Sequence, residues 1–147
     1  MFKNLSDIDD LKPVETMLED SSWGASQALL KMLRQGAVQA DADREVYFLY
    51  DDGEVLGHAC LVAEDYLERP QYGPWLSMLY IKPERRGEGW SRQFVAFLEE
   101  ELRKKGYLKA YIATQHQGLY ERFGYQLLEE AKDGIHEVDY VYEKVLS

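Results

Sequence analysis

The order of helix-like and strand-like segments predicts a mixed α/β fold, in which a sheet carries helices on both faces. Three observations support this fold class. Two helix-like segments come first, an apolar hairpin follows, and a strand, a long helix and another strand then succeed one another. With 147 residues, of which 46% are apolar, the chain can bury the core of one domain, and we expect a single domain over residues 1–147.

Two helices are predicted near the start of the chain. Pro13 suits the first turn of a helix over residues 11–20. A second helix is expected over residues 24–35, because Leu29, Met32 and Leu33 fall on one of its faces. Gly36 supplies a natural end for that helix.

The remaining segments alternate between strands and helices. Asp51, Asp52 and Gly53 separate two apolar runs, which indicates a hairpin. A long amphipathic helix is predicted over residues 90–105, and Gly106 ends it. Strands are expected at residues 46–50, 55–63, 76–81, 109–114, 125–128 and 137–145, with a short helix at residues 118–123.

Composition and charge exclude several classes of protein. The formal net charge of −10 argues against a nucleic-acid partner, because phosphate backbones are bound by an excess of Lys and Arg. No apolar run is long enough to span a bilayer, and the first ten residues are polar and acidic, so we expect a soluble, cytoplasmic protein. The single cysteine, Cys60, cannot form an internal disulfide, which is compatible with a reducing cytosol.

A basic, glycine-containing loop stands out in this acidic chain. Residues 82–92 read KPERRGEGWSR and lie between a predicted strand and the long helix. The first turn of a helix offers unpaired N–H groups and a partial positive charge, and glycine lets an anion approach them. A P-loop lysine and the third glycine of a dinucleotide fingerprint are both missing. The alternatives are a phosphate site and a plain tight turn whose basic residues balance Glu84 and Glu88.

Two motifs together resemble the GNAT superfamily of acetyl-CoA-dependent N-acetyltransferases. Residues 86–91, RGEGWS, match its cofactor motif except that Ser91 replaces the final Gly or Ala. Residues 119–125, LYERFGY, match its aromatic-Gly-aromatic segment, with Tyr120 in the catalytic place. The resemblance covers residues 46–128 and implies a central, mostly antiparallel twisted sheet of about six to seven strands, with helices on both faces.

The resemblance also implies a division of roles among residues. Acetyl-CoA, as cosubstrate, is expected to contact the loop, and the backbone of the preceding strand is expected to contact its pantetheine arm and thioester oxygen. Tyr120 is expected to be the general acid that protonates the departing thiolate, in a direct transfer without an acyl-enzyme. The cofactor-binding residues implied in this way are Leu79, Tyr80, Ile81, Arg86, Gly87, Glu88, Gly89, Trp90, Ser91 and Arg92.

The general base and the acceptor are less well determined by the sequence. Glu64 and Asp65 end a predicted strand near the place where the family often carries an acidic residue, and they are the candidate bases. Of the three histidines, His58 is expected to be packed, His116 could relay a proton, and His136 is expected to face solvent or pack on the last strand. Three scattered histidines and one cysteine offer no metal-ligand spacing. Candidate walls of an acceptor pocket are Trp23, Tyr66, Tyr72 and Trp75.

These observations predict an N-acetyltransferase that acts on a primary amine of a small molecule or peptide. Two alternatives stay open, namely a non-catalytic acyl-CoA-binding regulatory module and a nucleotide-binding protein that prefers ATP or NAD. The missing Walker lysine disfavours the second alternative. The oligomeric state is open, and a homodimer is compatible with the sequence.

Overall fold

The computed structural model describes residues 1–40 and 43–147, with no side-chain information for residues 39 and 40. The α-helices are α1 (Lys12–Asp20), α2 (Gly24–Arg34), α3 (Ala37–Ala40) and α4 (Trp90–Lys104). The strands are β1 (Phe2–Asn4), β2 (Arg44–Asp51), β3 (Glu54–Val62), β4 (Trp75–Ile81), β5 (Lys109–Thr114), β6 (Gln126–Ala131) and β7 (Asp139–Val145). Short 3-10 helices occupy Leu5–Asp7, Pro83–Arg85 and Tyr120–Phe123.

The strands form one mixed sheet, which confirms the predicted fold class. Hydrogen-bonded neighbours follow the order β1-β2-β3-β4-β5-β7-β6, a seven-stranded sheet. The pairs β1–β2, β5–β7 and β6–β7 are antiparallel, whereas β4 and β5 are parallel and pair at Trp75 with Tyr111 and at Leu76 with Ile112. Parallel neighbours need a crossover connection, and α4 supplies it between β4 and β5.

Most element types agree with the sequence pattern, and the differences involve short segments. The predicted strand at residues 109–114 has the observed bounds Lys109–Thr114, and the hairpin turn lies between β2 and β3 as expected. The predicted short helix over residues 118–123 is a 3-10 helix that begins at Tyr120. Strand β1 and helix α3, of three and four residues, were not predicted, because periodicity is not measurable over so few positions.

The chain divides into two compact units. The first contains Met1–Cys60 and Met78–Phe94. Its core is apolar, with Phe2 and Phe94 in ring contact at 4.9 Å between centroids. The fully buried side chains of this unit include Val14, Leu18, Leu29, Phe48, Leu49, Leu56 and Phe94.

The second unit contains Leu61–Ser77 and Val95–Ser147. Trp75, Leu98, Leu102 and Tyr142 form its buried centre, each with no more than 1% of its surface exposed. A buried polar network joins the later part of α4 to β7, since Glu99 accepts hydrogen bonds from Tyr125 Oη at 2.9 Å and Lys144 Nζ at 3.0 Å. Such a network is stable only when its charges are paired and hydrogen-bonded, as they are here.

The described part of the chain lacks two kinds of feature. None of the helices in the described part of the chain is both long and apolar enough to cross a bilayer. Among residues 1–40 and 43–147, no group of three or more His, Cys, Asp and Glu side chains is arranged to hold a metal ion.

Candidate active site

Strand β4 is irregular where it enters the first unit. Met78 has a φ of +54°, a left-handed conformation that is uncommon for a residue other than glycine and is typical of a bulge. Two residues later, the Tyr80 carbonyl oxygen faces Gly57 of β3, where a Cβ would lie only 2.1 Å from it. Gly57 therefore allows the two strands to approach closely beside the irregularity.

The loop after β4 turns sharply into α4. Gly87 and Gly89 have φ values of +83° and +86°, in the region that favours glycine, and α4 begins at Trp90. A Cβ placed on either glycine would meet no atom within 4 Å, so no side chain fills the turn. A group approaching the start of this 15-residue helix thus meets exposed main chain at the positive end of its dipole.

Arg86 holds the loop to the end of β4. Its Nε donates to the Ile81 carbonyl at 2.7 Å, and its guanidinium carbon lies 5.4 Å from the centre of the Tyr80 ring. Arg86 therefore supports the turn through main-chain and cation–π contacts. Of the strand residues expected to serve the cosubstrate, Ile81 already accepts a hydrogen bond and Tyr80 directs its carbonyl at β3.

Carboxylates balance much of the positive charge in this loop. Arg85 contacts Asp51 at 2.8 Å, Glu54 at 3.0 Å and Glu88 at 3.0 Å. Lys82 contacts Glu54 at 2.6 Å and Glu84 at 3.6 Å, and hydrogen bonding to Glu54 raises the Lys82 pKa. These basic side chains thus behave as in the balanced-turn alternative, and what the turn chiefly offers an anion is main-chain N–H. Glu88 also accepts from Trp90 Nε1 at 2.9 Å, while Ser91 is partly exposed and Arg92 is exposed.

Tyr120 lies in the second unit on a firmly held 3-10 helix. Glu121 accepts from the Gly118 N–H at 2.8 Å and from Tyr142 Oη at 3.0 Å, and Gly124 ends the helix with a φ of +92°. The Tyr120 ring is 8% exposed and packs against Phe123, Tyr125 and Tyr142.

The Tyr120 hydroxyl has no hydrogen-bond partner among the described residues. None of the residues that the structure describes forms a hydrogen bond with it, although it is not among the fully buried atoms that lack a partner. Burial raises the pKa of Tyr120 to about 12, so the phenol is neutral at physiological pH and can donate a hydrogen bond. The hydroxyl is therefore left to solvent or to a bound ligand.

Glu64 and Asp65, the candidate bases, lie in the loop that follows β3. Glu64 is exposed to solvent. Asp65 is partly buried and accepts from the Tyr66 N–H at 2.9 Å and from Ser77 Oγ at 3.2 Å. Local hydrogen bonds of this kind are typical of an aspartate that stabilises its own loop. The general-base roles of Glu64 and Asp65 stay predictions.

The three histidines differ in their surroundings. His58 is fully buried, as the sequence predicts for a packed histidine, and Ser26 Oγ lies 2.8 Å from its Nε2. His116 is exposed. His136 is partly exposed and contacts the fully buried Asp139 through Nδ1 at 2.9 Å. Asp139 was missed by the sequence reasoning, and the three-residue spacing from His136 to Asp139 is the one signal that could have drawn attention to it.

The four aromatic residues proposed as pocket walls have separate surroundings. Trp75 is 1% exposed and belongs to the core, and Tyr72 stacks on Tyr111 at 5.0 Å. Trp23, 41% exposed, stacks with His58 and Tyr80 at 6.0 and 5.7 Å. Tyr66, 38% exposed, donates to Asp139 at 2.5 Å. Of these four, Trp23 and Tyr66 expose the most surface, Tyr72 is partly exposed and Trp75 is buried.

Comparison with known families identifies a relationship over most of the chain. The profile described as "Acetyltransferase (GNAT) domain" matches residues 42–127, which include both the glycine turn and Tyr120. No curated protein matches the sequence.

Solved structures share the fold at low sequence identity. The aminoglycoside 6′-N-acetyltransferase from Enterococcus faecium is 17% identical with a TM-score of 0.71, and the match covers 100% of this chain and 97% of that one. A GNAT family N-acetyltransferase from Escherichia coli, in complex with CoA, is 20% identical with a TM-score of 0.69, covering 100% and 81%. An aminoglycoside 6′-N-acetyltransferase complexed with coenzyme A is 16% identical with a TM-score of 0.70, covering 100% and 97%.

Proposed function

Because the chain belongs to the GNAT acetyltransferase family, we propose that it is an enzyme that transfers the acetyl group of acetyl-CoA directly to a primary amine. The observation that carries this proposal is the open turn at Gly87 and Gly89, at the start of α4. A diphosphate needs close approach to main-chain N–H groups at a helix start, and this turn provides it without a side chain in the way.

The solved neighbours support a CoA thioester as cosubstrate and a small molecule as acceptor. Two of them contain CoA, and two are named for acetyl transfer to the 6′-amine of an aminoglycoside. For this chain, the acceptor class is accordingly a small-molecule amine, with a peptide amine as the broader alternative. In this proposal the residues that hold the cosubstrate are Leu79, Tyr80, Ile81, Arg86, Gly87, Glu88, Gly89, Trp90, Ser91 and Arg92.

Tyr120 has the properties required of the acid in this reaction. Attack of a neutral amine on the thioester carbonyl breaks the carbon–sulfur bond, and negative charge then develops on sulfur. With its pKa raised to about 12, the phenol is too weak an acid to deliver its proton before charge develops on sulfur. It acts as a hydrogen-bond donor that stabilises the developing thiolate and delivers the proton as the bond breaks, while the proton that leaves the attacking nitrogen restores the phenol through solvent.

A free-thiol release assay tests the proposed function. The protein is mixed with acetyl-CoA and a panel of amines, and release of the CoA thiol is monitored. The panel contains kanamycin, simple alkylamines and lysine peptides. We expect thiol release that depends on one class of amine, together with calorimetrically detectable acetyl-CoA binding. Binding without thiol release for any amine would favour the non-catalytic acyl-CoA-binding module, and no binding at about 1 mM acetyl-CoA would contradict both proposals.

Replacement of Tyr120 by Phe isolates the role of the hydroxyl. We expect kcat for the best amine to fall roughly 100-fold, the scale of one general acid. The free energy of unfolding should stay the same or rise, because the hydroxyl forms no hydrogen bond with the described residues. Tyr107→Phe, at a tyrosine that is 46% exposed, is the matched control. An unchanged kcat and pH profile for Tyr120→Phe would assign the acid role to solvent or to another group.

A further inference from the structure

A histidine–carboxylate pair in the second unit is used by none of the roles above. The pair consists of His136, in the connection between β6 and β7, and Asp139, the first residue of β7. Asp139 is fully buried, whereas the His136 side chain keeps 36% of its surface exposed. A buried carboxylate that holds a solvent-facing imidazole is the arrangement by which proteins orient a histidine for proton transfer.

The hydrogen bonds of this pair assign the positions of its protons. Asp139 Oδ1 accepts from Tyr66 Oη at 2.5 Å and lies 2.9 Å from His136 Nδ1. Because a carboxylate oxygen accepts, Nδ1 must carry the hydrogen, which leaves the Nε2 lone pair of a neutral ring available. Within the described part of the chain, no residue forms a hydrogen bond with Nε2. The imidazole is thus held at one nitrogen and open at the other.

The second oxygen of Asp139 strengthens the case for a proton-accepting role. Oδ2 is fully buried and has no hydrogen-bond partner in the described residues, which is costly for a carboxylate. A positive charge on the neighbouring imidazole would compensate that cost through Coulomb attraction at short range.

The surrounding loops fix the pair in place. Arg69 donates to Glu129 of β6 at 2.7 Å and forms two bonds with Asp133, at 2.9 and 2.8 Å, so it ties the loop after β3 to the segment before His136. A Cβ on Gly134 would lie 2.6 Å from Asp139 Oδ2 and 2.7 Å from Leu67 Cδ2. The loop can pack on the buried carboxylate in this way only because residue 134 is glycine.

His136 lines a cavity whose walls are both polar and apolar. The cavity has a volume of about 380 Å³ and is lined by Gln115, His136, Glu137, Val138 and Tyr140. The groups that face the ring or share this cavity are Tyr66 from the loop after β3, Asp139 and Tyr140 from β7, and Glu137 from its own connection. With one carboxylate, an amide and a phenol at its walls, the cavity suits an ammonium group better than an anion.

We propose that His136 is the general base of the acetyl transfer and that Asp139 is its positioning residue; this inference rests on the proposed function. The substrate class is a cationic primary amine. Nε2 takes one proton from the ammonium group, and the nitrogen lone pair then forms the bond to the acetyl carbon while the bond from that carbon to sulfur breaks. Tyr120 delivers a proton to sulfur, the second proton that leaves the nitrogen as it becomes an amide restores the Tyr120 phenol through solvent, and the imidazolium returns its proton to solvent, so charge and atoms balance. Glu64 and Asp65 have no part in this step.

The decisive variant is His136→Asn, because Asn keeps an N–H donor near the place of Nδ1 and removes Nε2. Two probes are compared, benzylamine, which is an ammonium ion at pH 7, and benzhydrazide, which is already neutral. We expect kcat/KM for benzylamine to fall at least about 100-fold and for benzhydrazide less than about fivefold. Asp139→Asn should lower the benzylamine value in the same selective way. Ile135→Ala, a change at an exposed neighbour in the same loop, is the control with unchanged activity.

The outcomes separate this inference from the proposed function. Equal losses for both probes, or no loss for either, with an active wild type, overturn the base assignment and leave the acetyltransferase proposal standing. A wild type that acetylates neither these probes nor the amine panel overturns the proposed function and this inference together. A change in the pH profile of kcat/KM in His136→Asn, absent in Ile135→Ala, supports a role in proton transfer rather than in packing.

A second measurement does not depend on turnover. Nitrogen-15 NMR of the imidazole side chains should show His136, assigned by its loss in His136→Asn, as the tautomer protonated at Nδ1 with a bare Nε2. Asp139→Asn should abolish that preference. A wild-type signal protonated at Nε2 would contradict the assignment, whatever the activity measurements show.

Discussion

Each of the two compact units contains a histidine and a buried polar atom that has no hydrogen-bond partner among the described residues. The two units differ in the residue to which that atom belongs. In the first unit the atom belongs to the histidine itself, His58 Nδ1, which makes no hydrogen bond of ordinary geometry although the Met78 backbone favours the protonated ring. In the second unit the atom belongs to the carboxylate, Asp139 Oδ2, and the histidine next to it reaches solvent.

This difference separates a packing role from a chemical one. Burial lowers the His58 pKa from 6.5 to about 4, so the ring is neutral at pH 7 and stacks with Tyr80 at 5.2 Å like an apolar side chain. His136 contacts a buried carboxylate through Nδ1 and lines a cavity. The two imidazoles thus differ because His58 is itself buried, whereas His136 is partly exposed and only its partner Asp139 is buried.

The largest expected effect is on stability in acid, and it tests whether His58 is held neutral by burial. Below pH 6.5 His58 is protonated in the unfolded chain, whereas in the folded protein it becomes protonated only near pH 4. The free energy of unfolding therefore falls as the pH falls from 6.5 to about 4. The loss amounts to about 3 kcal/mol at pH 4. His58→Gln, which keeps an amide near Ser26, should remove most of this loss in urea unfolding at pH 7 and pH 4.

The exposed His116 provides the matched control for that experiment. His116→Gln should leave the acid-dependent loss of unfolding free energy in place, since the ring is exposed to solvent. An equal loss in His58→Gln and wild type would show that other groups cause the acid sensitivity and that His58 is not held neutral by burial.

A smaller effect on stability is expected at Gly57, which packs on the Tyr80 carbonyl, and at Gly134, which packs on the Asp139 carboxylate. Gly57→Ala places a Cβ 2.1 Å from the Tyr80 backbone carbonyl, and we expect about 2 kcal/mol of lost stability from overpacking. Gly134→Ala places its Cβ 2.6 Å from the Asp139 carboxylate, so it should cost about 1 kcal/mol of stability and lower amine turnover by displacing Asp139. Urea unfolding and kcat measured on both variants test this contrast, and Gly134→Ala with full activity would contradict the role given to Asp139.

The sequence predicted the parts of the molecule that depend on local pattern. The long helix, the hairpin at Asp51–Gly53 and the glycine turn all follow from periodicity and turn chemistry within a few residues. Contacts between distant segments were out of reach. Arg85 contacts Asp51 and Glu54, which lie more than thirty positions earlier in the chain, and Tyr66 contacts Asp139, which lies seventy-three positions later. The sequence pattern offered Glu84 and Glu88 as partners of the basic loop, but it showed neither the part of Asp51 and Glu54 in that charge balance nor the surroundings of His136.

The proposed function depends most on the main chain around Gly87 and Gly89 as the binding site for the acetyl-CoA diphosphate. Calorimetric titration of acetyl-CoA into two glycine variants tests this most directly. Gly89→Ala and Gly106→Ala impose the same backbone strain, with φ values of +86° and +87°, and both place the new methyl group in open space. We predict that Gly89→Ala weakens binding at least about tenfold while Gly106→Ala leaves it unchanged. Equal affinities for Gly89→Ala and Gly106→Ala would contradict diphosphate binding at this turn.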